Sequence, residues 1–365
     1  MNSLFARSLY FVRDFKWYGI VLVATLAVAV ATILLLGKQK KFSKKTTNSL
    51  LALMASITTL VIVFIIGEAY FRYVYDQSDG IGFLLVNQKW HDRHIIFNSD
   101  FRRDQEFVID KKPNEYRLAV IGDSITFGMG IKNPEDRFSN ILETQLNQKY
   151  PSVTVYNLGL SGTDTNEQID DFLGLDFFDF DLVVWQYYFN DINTATTSAQ
   201  ISKLVGEKKR LTYSPLLRKF FDSSFLADFL YWRFTTTYDH TFRSFIESDL
   251  KLYHDPSILD GHKRSIEKFI NTLHQRQVPI VVILFPLLYS DDIREFSADE
   301  YATMLELFTA FGADATINFA EALAPYKTEK LKASIFDQHP NEFVHQKAAD
   351  LLYPEISQII ENQKK

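Results

Sequence analysis

From Tyr116 onward the chain alternates short β-rich runs with helical patterns, and this alternation leaves few folds open. The β-rich runs are residues 117–121, 153–157, 182–188 and 278–285, with a weaker one at 316–319. The helical patterns between and after them are residues 136–148, 167–175, 262–276, 298–311 and 342–352. Uninterrupted apolar runs are typical of parallel strands covered on both faces. The pattern therefore predicts a doubly wound α/β domain, with a parallel five-stranded sheet flanked by helices.

Residues 192–261 interrupt this alternation. Apolar side chains recur there at helical spacing, namely Leu216, Leu217, Phe220, Phe221, Phe225, Phe229, Leu230 and Trp232. The spacing predicts a helical insertion that packs its apolar face on the domain. A lid over a substrate cleft, or a face that rests on a bilayer, is the alternative interpretation.

Two apolar runs, residues 18–36 and 50–66, precede the α/β pattern. Each is close to the ~20 residues that a helix needs to cross ~30 Å of hydrocarbon. A cleaved signal peptide is the alternative for the first run, but the run is long for that role and its Ala27-Val28-Ala29 motif lies inside it. We therefore expect residues 1–70 to form a membrane anchor with two transmembrane helices, and the chain to be a multi-pass membrane protein.

The charges around the two runs predict an orientation. The loop between them carries Lys38, Lys40, Lys41, Lys44 and Lys45. Because lysine-rich loops stay in the cytoplasm, both termini and the α/β domain are expected to be extracytoplasmic. The basic side chains before the first run, which argue for the opposite orientation, are Arg7, Arg13 and Lys16.

The rest of the composition excludes several classes of protein. The chain has no cysteine, which excludes a disulfide scaffold, a cysteine nucleophile and thiolate metal sites. Eight of the 39 basic residues lie in the first 49 positions, beside a single acid, so the remaining body is acidic. An acidic body with a basic N-terminus argues against a nucleic-acid partner and for a lipid bilayer.

Residues 71–115 are expected to form a connector with scattered charge. His91 and His94 lie three positions apart in it, a spacing that suits a metal ion on a helix. Since no third ligand is nearby, we interpret them as solvated or locally hydrogen-bonded side chains.

Four short motifs follow the strands or precede the last helix. Gly122-Asp123-Ser124 follows the first strand, and its glycine allows a sharp turn into a helix. The other three are Asn157-Leu158-Gly159-Leu160-Ser161-Gly162-Thr163, Tyr188-Phe189-Asn190-Asp191 and Asp337-Gln338-His339-Pro340-Asn341. In an open α/β sheet, ligands bind beyond the carboxyl ends of the strands, where the strand-end motifs should meet.

This ordered set of motifs resembles the SGNH (GDSL-type) hydrolase superfamily over residues 95–355. The resemblance implies a flavodoxin-like hydrolase domain at 116–358. It implies that Ser124 is the nucleophile, that His339 is its base and that Asp337 orients the histidine. The oxyanion hole would consist of the main-chain N–H groups of Ser124 and Gly162 and the side-chain amide of Asn190. This chemistry uses neither a cofactor nor a metal ion.

The roles agree with elementary chemistry. A serine hydroxyl is a weak nucleophile until a base removes its proton, and the oxyanion that forms needs donors already aimed at it. Two positions depart from the family pattern. Tyr188 stands where the family usually has glycine, which narrows the cleft, and Asp337 precedes the histidine by two residues instead of three. If this spacing is too short, a main-chain carbonyl orients the ring instead. The rival histidine, His345, is expected on the surface of the last helix.

The predicted function is that of a membrane-anchored serine esterase, which removes acetyl or other acyl groups from cell-surface glycans through an acyl-serine intermediate. Its substrate would be an acylated small molecule or glycan. One alternative is an O-acyltransferase that modifies cell-surface polysaccharide with the same residues, and a membrane-bound acyltransferase is an implied partner. Another alternative is a non-catalytic glycan-binding or assembly module.

Overall fold

The computed structural model describes residues 3–38, 43–192, 214–234, 236–289 and 297–364. Within them the chain forms two compact units. The first comprises the described residues within 1–75 and 219–231, and the second comprises the described residues within 76–218 and 232–365. Lys40 and Lys41 of the predicted lysine loop, and residues 193–213 of the predicted insertion, lie outside the described residues.

The described residues contain thirteen α-helices and five strands. The helices are α1 (Ser3–Lys38), α2 (Lys44–Ala69), α3 (Leu85–His94), α4 (Ser124–Phe127), α5 (Phe138–Asn147), α6 (Thr165–Gly174), α7 (Pro215–Ser223), α8 (Phe225–Phe234), α9 (Thr236–Leu252), α10 (Pro256–Gln275), α11 (Ala298–Ala310), α12 (Phe319–Leu323) and α13 (Glu342–Gln363). The strands are β1 (Tyr116–Ile121), β2 (Val153–Asn157), β3 (Leu182–Tyr187), β4 (Ile280–Leu284) and β5 (Ala315–Asn318).

The first unit is built on the two long apolar helices α1 and α2. The segments Lys16–Leu35 and Lys44–Val74 are long and apolar enough to cross a membrane. In each segment, no residue of the most apolar stretch is buried. The predicted spans at 18–36 and 50–66 lie inside these helices. They are candidate membrane spans by length and composition, while insertion and orientation stay predictions.

Part of the predicted insertion belongs to this first unit. Glu68, at the end of α2, is buried and accepts hydrogen bonds from the Ser224 hydroxyl (2.8 Å) and the Leu226 main-chain N–H (2.9 Å). The carboxylate thereby satisfies free N–H groups at the start of α8. Residues 219–231 therefore group with the apolar helices, which differs from the prediction of an insertion packed on the α/β domain.

The second unit contains the parallel sheet, with strand order β2-β1-β3-β4-β5. Leu118 of β1 lies opposite Val155 of β2 and Leu182 of β3, which fixes the register at the centre. Every residue of β3 and β4 is buried, as expected for strands covered on both faces. The predicted doubly wound α/β fold with five parallel strands is confirmed.

Helices cover both faces of the sheet. Leu118 and Val120 of β1 pack into one core together with residues of α5, α12 and α13. Ala119 and Ile121 point to the opposite face and pack with residues of α6, α10 and α11. This division follows from the strand period of two, which sends successive side chains to opposite faces.

Two helices extend beyond their predicted bounds. Helix α10 begins at Pro256 because the Asp255 carboxylate caps it, accepting the N–H of Ser257 (2.9 Å). Helix α13 passes through Pro354 and ends at Gln363. A proline costs a helix about 3 kcal/mol, and burial of Ile356 and other apolar side chains beyond it offsets that cost.

The segment predicted as a connector is packed into the second unit from residue 76 onward. Its helix α3 buries Trp90, and the side chains of Arg102 and Arg103 are almost fully buried. Arg102 pairs with Asp171, and Arg103 donates to the main-chain carbonyl of Ile131 (2.6 Å). Two of the scattered charged side chains therefore tie this segment to the domain.

Candidate active site

Ser124 lies where β1 turns into the short helix α4, at the carboxyl edge of the sheet. The Asp123 carboxylate caps this helix by accepting the N–H of Ile125 (2.9 Å). Gly122 makes the turn possible, since a Cβ there would lie 2.5 Å from Gln186 Oε1. The turn exposes the Ser124 hydroxyl on the edge where a parallel sheet binds ligands.

The structure brings Ser124, His339 and Asp337 together. His339 Nε2 lies 2.8 Å from Ser124 Oγ, and its Nδ1 lies 2.6 Å from Asp337 Oδ1. The same Asp337 oxygen accepts the main-chain N–H of His339 at 3.0 Å. A tight turn thus closes the two-residue spacing, and the carboxylate, not a main-chain carbonyl, faces the ring. With Nδ1–H donating to Asp337, Nε2 is free to accept the serine proton.

The surroundings of His339 and Asp337 shift the pKa values of both groups in the directions that suit a general base. Burial alone would lower the pKa of His339, but the charge and hydrogen bond of Asp337, together with the charges of Asp123 and Asp79, hold that pKa above its usual 6.5. Burial would raise the pKa of Asp337, yet the charge and hydrogen bonds of His339 hold it below its ordinary value. The pair therefore favours an ionised Asp337 beside a basic His339.

The three groups predicted for the oxyanion hole, Ser124, Gly162 and Asn190, line the same cleft. Gly162 has φ +81°, and nothing lies within 4 Å of the position that a Cβ would occupy. Its N–H is therefore unobstructed by its own side chain. Asn190 lies in the short 3₁₀ turn Phe189–Ile192 that follows β3. An amide side chain at this place supplies a donor that does not ionise.

A buried carboxylate that the motif analysis gave no role holds the Asn190 turn. Asp191 accepts the main-chain N–H of Tyr188 (2.9 Å) and the side-chain amide of Gln168 (3.0 Å). Burial, with the nearby Asp123 charge, holds the pKa of Asp191 well above its ordinary value. In the sequence, the only indication of a role for Asp191 is its position directly after Asn190. The motif does not reveal its partner Gln168 in α6.

The cleft beside Ser124 has a volume of about 360 Å³. Most of its lining is apolar, and this part includes Ile125, Met129, Phe245, Leu287, Leu288 and Phe336. Tyr188 also lines it, as its departure from the family glycine suggests. Phe245 belongs to α9, so the described part of the predicted insertion contributes directly to the cleft. Among the described lining residues none is lysine or arginine.

His345 and His94 have hydrogen-bond partners outside the Ser124–His339–Asp337 arrangement. His345 is fully buried, so the prediction of a surface position is wrong. Its Nδ1 accepts the main-chain N–H of Phe138 (3.1 Å), and burial lowers its pKa to about 3, which keeps it neutral and structural. His94 bonds locally to Asp76 (2.8 Å), while His91 is exposed at the cleft. In the described part of the chain no group of three or more acidic or histidine side chains is arranged to hold a metal ion.

The segment that follows residue 76 also contributes to the site, although no motif in the sequence predicts it. Asp79 and Gly80 line the cleft, and Gly80 lies against Asp337. Nothing in the order of the four motifs points to them, because they lie far upstream of the first motif. The only local signal is the pair of glycines, Gly80 and Gly82, on either side of Ile81.

The family model of the GDSL-like lipase/acylhydrolase family matches residues 120–347. Comparison with curated proteins finds no match. Among solved structures, an acetylxylan esterase from Geobacillus stearothermophilus is 15% identical, with a TM-score of 0.40 over 68% of this chain and 96% of its own. A psychrotrophic esterase from Pseudoalteromonas sp. is 11% identical, with a TM-score of 0.37 over 68% of this chain and 100% of its own.

A two-domain esterase active on acetylated mannans is 12% identical, with a TM-score of 0.38 over 67% of this chain. This chain spans half the length of that protein. The family match covers more than half of the chain and includes the serine, glycine, asparagine and histidine motifs. The chain therefore belongs to the GDSL-like lipase/acylhydrolase family, as its resemblance to the SGNH hydrolases predicts.

Proposed function

We propose that this protein is a membrane-anchored serine esterase that removes acyl groups from cell-surface glycans. Membership of the family supports an ester hydrolase. The observation that carries the proposal is the continuous chain of hydrogen bonds from Ser124 through His339 to Asp337 at the edge of an apolar cleft.

The first half of the reaction would form an acyl-serine. The Ser124 hydroxyl attacks the ester carbonyl while its proton passes to His339 Nε2. The main-chain N–H groups of Ser124 and Gly162 and the amide of Asn190 stabilise the oxyanion, each donor contributing ~2.7–4 kcal/mol in comparable sites. The protonated His339 then gives its proton to the departing alkoxide, which leaves as the free alcohol.

The second half would return the enzyme to its starting state. A water molecule gives a proton to His339 and attacks the acyl carbonyl. The tetrahedral intermediate then collapses, His339 returns the proton to Ser124 Oγ, and the acid is released. If a sugar hydroxyl enters in place of water, the same steps transfer the acyl group. Product analysis separates these outcomes, because hydrolysis gives free acid and transfer gives an acylated acceptor.

The lining of the cleft favours an uncharged, apolar acyl group as the part of the ester substrate that binds inside it. Its lining is mostly apolar, and the described lining residues include no lysine or arginine for a charged acyl group. The glycan part of the substrate rests on the resemblance to membrane-tethered relatives. We therefore place an acetyl or another short acyl group in the cleft and the sugar at its mouth.

The proposal is tested by hydrolysis of p-nitrophenyl acetate with the full chain in detergent. We expect Ser124→Ala to lower the rate at least about 10³-fold, since no other side chain replaces the nucleophile. Ser248→Ala is a matched control on α9, because the Ser248 hydroxyl donates, within the described part of the chain, to the carbonyl of Ser244 in its own helix. A folded parent protein that neither hydrolyses esters nor binds a fluorophosphonate would contradict the esterase and favour the glycan-binding module.

The anchor and its orientation need a separate test. We expect protease added outside spheroplasts to digest the α/β domain, because the lysine-rich loop between the spans favours the cytoplasm. Complete protection until lysis would reverse the orientation and place the site in the cytoplasm.

A further inference from the structure

The main chain at Gly80 lies directly against the Asp337–His339 pair. Gly80 has φ +77°, a conformation that side chains other than glycine's rarely adopt. A Cβ at this position would lie 2.6 Å from Asp337 Oδ1 and 3.0 Å from His339 Nδ1. These are the two atoms of the hydrogen bond that orients the histidine ring. Only a residue without a side chain fits here while that hydrogen bond is in place.

A second glycine covers the other oxygen of the same carboxylate. Gly130 has φ +85°, and a Cβ there would lie 3.0 Å from Asp337 Oδ2. The Asp337 side chain is 0% exposed between these two main-chain segments. A hydrogen bond from which water is excluded is electrostatically stronger than the same bond in solvent.

Dedicated hydrogen bonds hold the Gly80 segment in its place. The buried Asp79 carboxylate accepts the main-chain N–H groups of Ile81 (3.0 Å), Gly82 (2.5 Å) and Leu84 (2.6 Å). This is a closed turn around one carboxylate. Its conformation is therefore determined by residues of the segment itself.

The segment is also joined to the turn that carries Asp337. Ser334 Oγ donates to the main-chain carbonyl of Ser78 (2.8 Å) and accepts the N–H of Asp337 (3.0 Å). The Ser78 hydroxyl accepts the N–H of Gly80 (2.9 Å). Ser334 thus links the two segments whose contact encloses the Asp337–His339 hydrogen bond.

We propose that Ser78, Asp79 and Gly80 are a positioning element of the catalytic triad, in which Gly80 seals the Asp337–His339 hydrogen bond and Asp79 adds negative charge beside it. This inference rests on the proposed serine-esterase function. Neither residue is required to touch the substrate for this role. The element acts through His339, so its effect should appear in the basicity of His339 as well as in the rate.

The charges around His339 give the sign of that effect. The carboxylates that act on His339 are those of Asp337, Asp123 and Asp79, and all three raise its pKa against the lowering caused by burial. Burial raises the pKa of Asp79 itself to about 6, although its three main-chain hydrogen bonds oppose that shift. Loss of either Asp79 charge or the Asp337–His339 contact should therefore lower the pKa of His339.

The sharpest test compares Gly80→Ala with Gly82→Ala in the full chain. Gly82 has φ +84°, and its nearest neighbour would be Asn87 Nδ2 at 3.8 Å from a Cβ, so alanine there causes the same backbone strain without touching the triad. We expect fluorophosphonate to label Ser124 at least about tenfold more slowly in Gly80→Ala than in Gly82→Ala. The reason is that a small misplacement of the base His339 lowers the reaction rate strongly. The labelling rate should fall as the pH is lowered through the pKa of His339. The midpoint of this fall, the acid limb of the pH profile, should move to lower pH in Gly80→Ala and stay in place in Gly82→Ala.

Asp79→Asn tests the charge separately and serves if Gly80→Ala fails to fold. The amide oxygen of asparagine can keep accepting the N–H groups of Ile81 and Gly82, while the hydrogen bond from the Leu84 N–H and the negative charge are lost. We expect the acid-limb midpoint to move to lower pH, with little change of rate on the alkaline plateau. Equal labelling rates and equal midpoints in the two alanine variants, or an unmoved midpoint in Asp79→Asn, would overturn this inference alone. A folded parent protein that is never labelled would overturn the proposed function, and the inference with it.

Discussion

Replacing Asp337 by asparagine separates a catalytic triad from a serine–histidine dyad. One oxygen of Asp337 accepts both the main-chain N–H and the Nδ1–H of His339, at 3.0 and 2.6 Å. Asparagine keeps the size of the side chain but loses the charge, and its amide can donate to the ring, which favours the wrong tautomer. In serine hydrolases this exchange costs on the order of 10⁴ in rate.

The magnitude expected here follows from the burial of the pair. Because the Asp337 carboxylate is completely buried and paired with His339, no solvent molecule replaces the lost charge. We expect Asp337→Asn to lower kcat/KM by about 10² to 10⁴, which is about 3–5 kcal/mol of activation free energy. The measurement is ester hydrolysis as a function of pH, with the folded state checked by thermal unfolding.

The pH profile provides an independent readout. The base must be neutral, and Asp337 holds the pKa of His339 above 6.5, so the parent enzyme should lose activity as pH falls through a value above 6.5. Without the carboxylate, burial dominates, and the acid limb should move to lower pH. Asp350→Asn is the control, since this exposed carboxylate on α13 bonds, among the described residues, to Gln145 and Gln346. If Asp337→Asn lowers kcat/KM by less than about tenfold and leaves the acid limb of the pH profile in place, the triad is refuted.

Three further outcomes follow from the same structure. Phe245→Ala enlarges the cleft and should raise the kcat/KM ratio of butyryl to acetyl esters about tenfold; an unchanged ratio would remove Phe245 from the acyl site. Ser124→Ala and His339→Ala should cause similar losses, and the double variant little more, because the two groups act as one unit; additive losses in the measured rates would argue otherwise. Burial lowers the pKa of His262 to about 4, below an unfolded value of ~6.5, so its stabilising contribution is complete above that value and lost as pH falls towards 4. Urea unfolding at both ends of this range should show a loss of about 3 kcal/mol from this group, which His262→Gln removes.

Much of the fold was predictable because the sheet is parallel and covered on both faces. Strands such as β3 and β4 must then be largely apolar, and such a run can be recognised in the sequence. The bounds of α13 were less accessible. Pro354 suggests a helix end, and only the packing of Ile356 and Ile360 in the core shows why the helix continues.

The site was predictable to the extent that its residues follow strand ends. Ser124 and Asn190 are placed by β1 and β3, and the carboxyl edges of neighbouring parallel strands meet. His345 was misplaced because a histidine one turn into a helix gives no sign of the Phe138 N–H that it accepts. Gly80 was missed for a similar reason, since its contact with Asp337 joins segments distant in sequence.

The central claim is that Ser124 is a nucleophile activated by His339. The most direct measurement is mass spectrometry of the peptide that carries the adduct after reaction of the full chain with a fluorophosphonate. We expect a single phosphonyl group on Ser124, formed faster as pH rises through the pKa of His339, and none in Ser124→Ala or His339→Ala. An adduct on another residue, or labelling of Ser124 that persists in His339→Ala at the parent rate, would contradict the account.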